Sequence, residues 1–205
     1  MIISLLVGAY LLGSIPTAVW WGMRYYGIDV REFGSGNAGA TNTFRVLGKK
    51  AGVPVLIVDI LKGTVAVSLV YLTPFDFDSN PFVNMELGLG IAALVGHVFP
   101  IFAGFRGGKG VATILGVVVC LTPLTSLLVL TVFLTILFAT RYVSLSSILA
   151  GISYPLFLNL FLKNQNETLV IYSVLVAVLL VITHKKNIVR LFKRQESKVI
   201  LFKKA

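Results

Sequence analysis

Apolar runs recur along the whole chain, at residues 2–23, 53–72, 87–105, 111–140, 143–162 and 169–183. Crossing the hydrocarbon core of a bilayer takes about 20 apolar residues. Inside it every backbone N–H and C=O must be bonded within the protein, which leaves helices as the solution for runs like these. The expected fold is an all-α integral membrane protein, one polytopic domain over residues 1–205 with no separate soluble module. Composition agrees: 57% of residues are hydrophobic, 13% are charged and mean hydropathy is +0.91, against roughly 45–50% apolar for a soluble domain.

The run 111–140 is long for one crossing and short for two, and Pro123 within it permits a break. The distribution of cations decides between them. With two crossings there, the chain has seven transmembrane helices, its N-terminus outside and its C-terminus cytoplasmic. Every Lys and Arg then faces the cytoplasm except Lys62, inside a run, and Lys163, on an outer loop, while Asp76, Asp78, Glu86 and Glu167 lie outside. Six crossings would leave the cationic tail after Thr183 outside. Two short helices are therefore expected to meet near Pro123, with short amphipathic helices in the cytoplasmic loops.

The tail, 184–204, interleaves cations with Ile, Val, Leu and Phe. It reads either as a basic amphipathic stretch on the inner leaflet or as a topological anchor. The first run lacks the charged leading region of a signal peptide and is expected to stay as a helix. The net charge of +10 belongs to loops facing anionic headgroups; no basic stripe sits on a soluble fold, so nucleic acid is not an expected partner. Cys120, the one cysteine, reads as a small core residue. His97 and His184 are the only histidines, and no metal-ligand cluster is expected.

Seven crossings put three polar loops on one side. The first, GSGNAGATNTFR (34–45), matches a dinucleotide-binding glycine pattern at Gly34, Gly36 and Gly39, with Asp59 further on. That pattern needs a buried strand before it and an acid outside the membrane; here a polar flank precedes it and Asp59 lies in an apolar run. Its content is plainer: exposed backbone amides at Gly34 and Gly36, side-chain donors at Ser35, Asn37, Thr41, Asn42 and Arg45, and a helix beginning near Ser35 whose N–H groups would face an anion. The second loop ends in GFRGGKG (104–110). It is not a Walker A motif, because Ala103 and Gly110 stand where that motif has Gly and Ser/Thr. The amides of Gly107, Gly108 and Gly110, with Arg106 and Lys109, make a candidate phosphate cradle. The third, HKKNIVR (184–190), offers His184 and Asn187.

Two further features lie in the runs. Asp59 and Lys62 are one helical turn apart, either a structural ion pair or a pocket lining in which Lys62 extends the cationic basin. His97 is either a bonded core group or a catalyst. No internal repeat is evident, which weakens the competing reading of a phosphate or organophosphate transporter.

The segments GSGNAGATNTFR (34–45), DILKG (59–63), GHVFPIFAGFRGGKGVAT (96–113) and HKKNIVRL (184–191) together resemble the bacterial acyl-phosphate:glycerol-3-phosphate acyltransferases of the PlsY type. The resemblance covers nearly the whole chain in matching order; Arg106 stands where that family often has lysine. It implies a seven-helix inner-membrane enzyme with its site at the cytoplasmic face. That enzyme would transfer an acyl group from acyl phosphate to the first hydroxyl of glycerol 3-phosphate, giving lysophosphatidic acid. The resemblance implies Ser35, Arg45, Lys109, His184 and Asn187 as the polar pocket, and no metal, cofactor, acyl-CoA or carrier protein. Membrane phospholipid is the surrounding partner, with no obligatory protein partner. The histidine-x4-aspartate pattern of acyl-CoA-dependent enzymes is missing, since His97 is followed by Phe102 and His184 by Val189 at that spacing. The expected base is a substrate phosphate, whose second pKa is near ~6; His97 and His184 are the alternatives.

Overall fold

The computed structural model describes residues 1–162 and 166–199, with side chains omitted at 161 and 162. Lys163 and the end of the basic tail, 200–204, lie outside the described residues. All regular structure among the described residues is helical, and they group into two compact units, Met1–Leu121 and Thr122–Ala205.

The first unit holds α1 (Ile2–Gly13), α2 (Thr17–Tyr26), α3 (Ala40–Leu47), α4 (Lys49–Ser68), α5 (Asn80–Val98) and α6 (Val111–Leu121), with 3-10 turns at Val30–Glu32, Leu69–Leu72 and Ile101–Ala103. The run 2–23, expected as one crossing, is two helices bent by 41°. Pro16 stands immediately before α2 and has no N–H to continue the ladder of α1. Ala9, Ala66, Val70, Phe82, Met85, Leu89 and Ala93 form the seam of α1, α5 and α4 with the 3-10 turn that follows it.

Backbone contact joins α4 to α6. A Cβ added to Gly63 would strike the carbonyl of Thr113, and one added to Gly116 would strike that of Ile60. Thr64 Oγ1 donates to Gly116 O at 3.2 Å across the same contact. Without a hydrophobic drive between helices in lipid, small residues that admit close approach carry such packing. The contact fixes α6, and with it the loop preceding it, against α4. Val53, Ile57, Leu61 and Val65 recur once per turn on an exposed face of α4, the pattern of a face turned to lipid.

The second unit holds α7 (Pro123–Thr140), α8 (Val143–Leu162), α9 (Glu167–Thr183) and α10 (Lys185–Phe192). The run 111–140 does break near Pro123: α6 ends at Leu121 and α7 begins on the proline, a first helical position that needs no N–H partner. Thr122 Oγ1 and the Tyr154 hydroxyl meet at 3.2 Å, tying the break to α8. With 11 residues, α6 is about 17 Å long, short of the ~30 Å hydrocarbon core. Four helices, α4 and α5 with their 3-10 extensions and α7 and α8, are long and apolar enough to cross a bilayer alone. The pairs α1–α2 and α9–α10 qualify as bent spans, the latter bent by 60° at His184.

Candidate active site

The first polar loop lies between the 3-10 turn Val30–Glu32 and α3. Asp29 opens that turn by accepting from Arg31 N at 2.9 Å, and its carboxylate grips the Arg31 guanidinium, with Nη2 to Oδ2 at 2.7 Å. These hydrogen bonds hold the Asp29 carboxyl below its ordinary value against the opposing effect of burial. Gly34 has φ +62°, and a Cβ there would strike Asn42 Oδ1, so glycine is required on both counts.

Asn42, in the first turn of α3, is only 1% exposed. Its Oδ1 accepts from Ser35 N at 2.8 Å and Ser35 Oγ at 3.1 Å. Its Nδ2 donates to Val30 O at 2.8 Å and Phe33 O at 3.0 Å. Both amide hydrogens are used inside the loop, which corrects the expectation that Asn42 donates to a phosphate: it shapes the loop and seats Ser35. The helix expected to begin near Ser35 begins at Ala40, with Gly39 as its cap. The left-handed backbone at Gly34 and Gly36 delays it. Thr41 and Arg45 are exposed one turn apart on α3, and Asn37 is half-buried.

The second loop packs on the end of α5. Gly107 N donates to Val98 O at 3.2 Å and Gly108 N to His97 O at 3.1 Å. A Cβ on Gly107 would strike His97 O; one on Gly108 would strike His97 Nε2 and sit 3.2 Å from Ala38 O. Close approach, then, is what these two glycines provide. Their amides hold the loop to α5, which corrects the expectation that they cradle a phosphate. The first and second loops adjoin at Ala38 and Gly108. Gly110 (φ +83°) turns the chain into α6; Lys109 before it is half-buried and Arg106 is exposed. The first N–H groups of α6 have no partner within the helix.

Lys62 and His97 are corrected too, since both are buried, Lys62 against Asp59 and Ile15 O and His97 against Gly108. Lys62 Nζ donates to Asp59 Oδ1 at 2.9 Å and to Ile15 O at 2.9 Å. Thr17 Oγ1 donates to Asp59 Oδ1 at 3.2 Å. The bend between α1 and α2 leaves the Ile15 carbonyl without a continuing helix, and Lys62 caps it while Asp59 neutralises the charge. His97 Nδ1 lies 3.9 Å from Asp59 Oδ1, and its other ring nitrogen packs against Gly108. Of the two readings of Asp59 and Lys62, the structural ion pair is the one formed.

In the second unit, His184 and Asn187 lie at the α9–α10 bend, and both are buried. His184 Nδ1 is 2.8 Å from Leu180 O. A carbonyl only accepts, so Nδ1 carries the hydrogen and the neutral ring has its lone pair on Nε2. Asn187 Nδ2 donates to Glu196 Oε1 at 2.6 Å. Glu196 also accepts from Ser144 Oγ at 2.8 Å and from Arg190 Nε at 2.8 Å. Burial pushes its carboxyl up, but these three donors outweigh burial and hold it below the ordinary value.

Sequence reasoning missed Glu196 and the Asp29–Arg31 pair. Glu196 had a signal: it is the only acid in the cationic tail from His184 onward. The Asp29–Arg31 spacing is too common to stand out. Among the described residues no group of three or more His, Cys, Asp or Glu could hold a metal ion.

The glycerol-3-phosphate acyltransferase family profile matches residues 3–194. A glycerol-3-phosphate acyltransferase of Bacillus cytotoxicus is 47% identical over 200 residues, covering 98% of this chain and 96% of the relative. One of Chlorobium phaeobacteroides is 41% identical over 229 residues, covering 97% and 96%. A crystal structure of PlsY, an integral membrane glycerol 3-phosphate acyltransferase in its glycerol 3-phosphate form, superposes with a TM-score of 0.85 at 40% identity, covering 97% of this chain and 96% of that one. The lysophosphatidic acid form gives 0.81 at 39%, covering 97% and 95%.

Proposed function

The chain belongs to the glycerol-3-phosphate acyltransferase family, and from that premise we propose that it acylates glycerol 3-phosphate at the first hydroxyl with acyl phosphate as donor. The products are lysophosphatidic acid and inorganic phosphate, the opening acylation of phospholipid synthesis. The observation that carries this reading is the pair of glycine loops, interlocked at Ala38 and Gly108 and flanked by Arg45, Arg106 and Lys109. Both substrates carry phosphate, and backbone amides with cations are what bind it.

The roles are these. Lys109, Arg45 and the first amides of α6 bind the donor's phosphate and stabilise the charge that develops as it leaves. Ser35 in the first unit, and His184 and Asn187 in the second, bind and orient polar groups of the substrates; Thr41, Asn37, Arg106 and the backbone of Gly34 and Gly110 supply further polar groups, while Gly36 is corrected, since its N–H donates to Phe33 O at 3.1 Å. The acceptor oxygen attacks the acyl carbon, the bond from that carbon to the phosphate oxygen breaks, and the phosphate departs with the electron pair. The proton passes to a substrate phosphate, whose second pKa is near ~6. Burial of His97 beneath Gly108 favours that route over His97 as base. Positioning does most of the work.

The topology that fits is seven crossings in one domain. Four single helices and two bent pairs are the six spans that length and composition support; the seventh crossing assigned here is the short α6, and the cation pattern favours the N-terminus outside, the C-terminus inside and the site at the cytoplasmic face of the cell membrane. A transporter has no observation of its own in its favour. Purified protein given acyl phosphate and labelled glycerol 3-phosphate is expected to form lysophosphatidic acid and phosphate in equal amounts. Absence of product, with flux of glycerol 3-phosphate across liposomes lacking acyl phosphate, would overturn the reading in favour of transport.

A further inference from the structure

Arg31 does more than pair with Asp29. Its Nη1 donates to Ala103 O at 2.7 Å and to Arg106 O at 3.3 Å, the two carbonyls that bracket Gly104 and Phe105. Those two residues are both left-handed, with φ +62° and +61°. Gly104 adopts that backbone freely; Phe105 does not, since its Cβ crowds the carbonyl that follows. Its ring is 58% exposed, so burial of the ring does not hold the backbone there. Backbone bonds from Phe105 N to Pro100 O at 2.9 Å and from Arg106 N to Ala103 O at 3.4 Å close the turn, and one guanidinium bridges its two ends from outside.

The guanidinium is itself fixed. Asp29 accepts from Nε at 3.1 Å and from Nη2 at 2.7 Å, so the fork has one arm on a carboxylate and one on the turn, an arrangement that a lysine cannot reproduce. The same segment anchors the first loop, because Asn42 Nδ2 donates to Val30 O next to Arg31. Asn42 seats Ser35 and Arg31 seats the turn that leads, through Gly107 and Gly108, to Lys109.

We propose that Arg31 is the positioning residue of the phosphate loop: it clamps the strained Gly104–Phe105 turn and sets Lys109 in register with the Ser35 loop. The clamp touches no substrate and acts through the turn. It rests on the acyltransferase reading for its kinetic consequences and on geometry for its existence.

The test compares Arg31→Ala, Arg31→Lys, Asp29→Asn and Phe105→Gly in purified protein. For Arg31→Ala, kcat is expected to fall on the order of 100-fold, the scale of an ångström-sized misplacement, with a rise in KM for acyl phosphate and little change in thermal midpoint. Arg31→Lys recovers part of this. The loss from Arg31→Ala is smaller in a Phe105→Gly background, where glycine adopts the turn unaided. A folded Arg31→Ala protein with wild-type kcat and KM overturns the clamp, as does an equal loss in both backgrounds. If Arg31→Ala does not fold, Asp29→Asn, which loosens the grip while keeping the guanidinium, must lower kcat; an unchanged kcat overturns the proposal. If the wild type makes no lysophosphatidic acid, the acyltransferase reading fails, and calorimetric binding of glycerol 3-phosphate then tests the clamp alone: weaker binding by Arg31→Ala supports it and equal binding overturns it.

Discussion

The two bent helix pairs solve one problem in different ways. At the 41° bend between α1 and α2, the Ile15 carbonyl is capped from a neighbouring helix, by Lys62, whose charge Asp59 neutralises. At the 60° bend between α9 and α10, the chain caps itself: His184 N and Nδ1 both bond the Leu180 carbonyl, and Asn187 N bonds His184 O at 2.8 Å. The acid there, Glu196, arrives from beyond α10 and grips Asn187 and Arg190. The first bend consumes its ionisable groups in holding the fold. The second uses backbone and one ring nitrogen for that purpose, leaving the acid to orient a residue of the proposed site.

The sharpest way to break the comparison is to remove one charge at the first bend. Asp59→Asn leaves the Lys62 ammonium buried without its counter-ion, and breaking a buried pair costs about 3–5 kcal/mol. Replacing both, as Asp59→Asn with Lys62→Met, is expected to regain much of the thermal midpoint, because the stranded charge is gone. A double variant no more stable than Asp59→Asn would show that capping Ile15 O, not neutralising Lys62, dominates. If instead Lys62→Met folds well but loses phosphate affinity, the structural assignment of Lys62 is wrong.

At the second bend, Glu196→Gln keeps the shape and removes the charge. The glutamine Oε1 still accepts from Asn187 and Ser144, but its NH2 replaces the Oε2 that accepts from Arg190, so that pair is lost; hydrogen bonds to charged groups contribute about 1.5–3 kcal/mol, so the loss in stability should be smaller than for Asp59→Asn. It should also carry a kinetic effect absent at the first bend, because Asn187 then donates to a neutral amide oxygen instead of a carboxylate, a weaker partner. A Glu196→Gln protein with lowered midpoint but unchanged kcat and KM would place Asn187 outside the working site.

Much of this is legible in the sequence, and the parts that are not share a cause. Apolar run length and cation placement located the helices and the break before Pro123, because bilayer thickness and backbone satisfaction leave few options. The bend at Pro16 was missed, since the run 2–23 stays apolar through it. Glycine loops marked the polar regions, but which amides remain available was hidden: Gly107 and Gly108 look like phosphate ligands until the carbonyls of His97 and Val98 are seen against them. The same holds for Asn42 and Lys62, whose donors meet Val30 O, Phe33 O, Ile15 O and Asp59 in the fold. A sequence shows donors, not the acceptors that folding brings to them. Roles set by contacts between distant residues, such as Glu196 with Ser144, have no short-range pattern to announce them.

Acid should separate Glu196, at the second bend, from Asp29, in the first polar loop. The carboxyls of Glu196 and Asp29 are both depressed in the folded protein from ordinary values of 4.5 and 3.8. A depressed group contributes its full stability above the unfolded value and loses it as pH falls through the folded one. The thermal midpoint is therefore expected to decline as pH drops below 4.5, with Glu196 contributing first. Glu196→Gln should flatten that decline. An identical acid slope in wild type and variant would show that Glu196 is not held in its ionised form by Asn187, Arg190 and Ser144.

The smallest expected effect isolates a single bond at the first bend. Thr17→Val removes the hydroxyl that donates to Asp59 Oδ1 at 3.2 Å, with little change in volume. Asp59 keeps Lys62 at 2.9 Å, so no charge is stranded and the cost should be about 0.5–1.5 kcal/mol. The same change in the Asp59→Asn, Lys62→Met background should cost less, because the acceptor is no longer an anion. Equal costs in the two backgrounds would mean that Thr17 contributes through packing at the bend and not through its bond to the carboxylate, and the capping network would reduce to Lys62 and Asp59 alone.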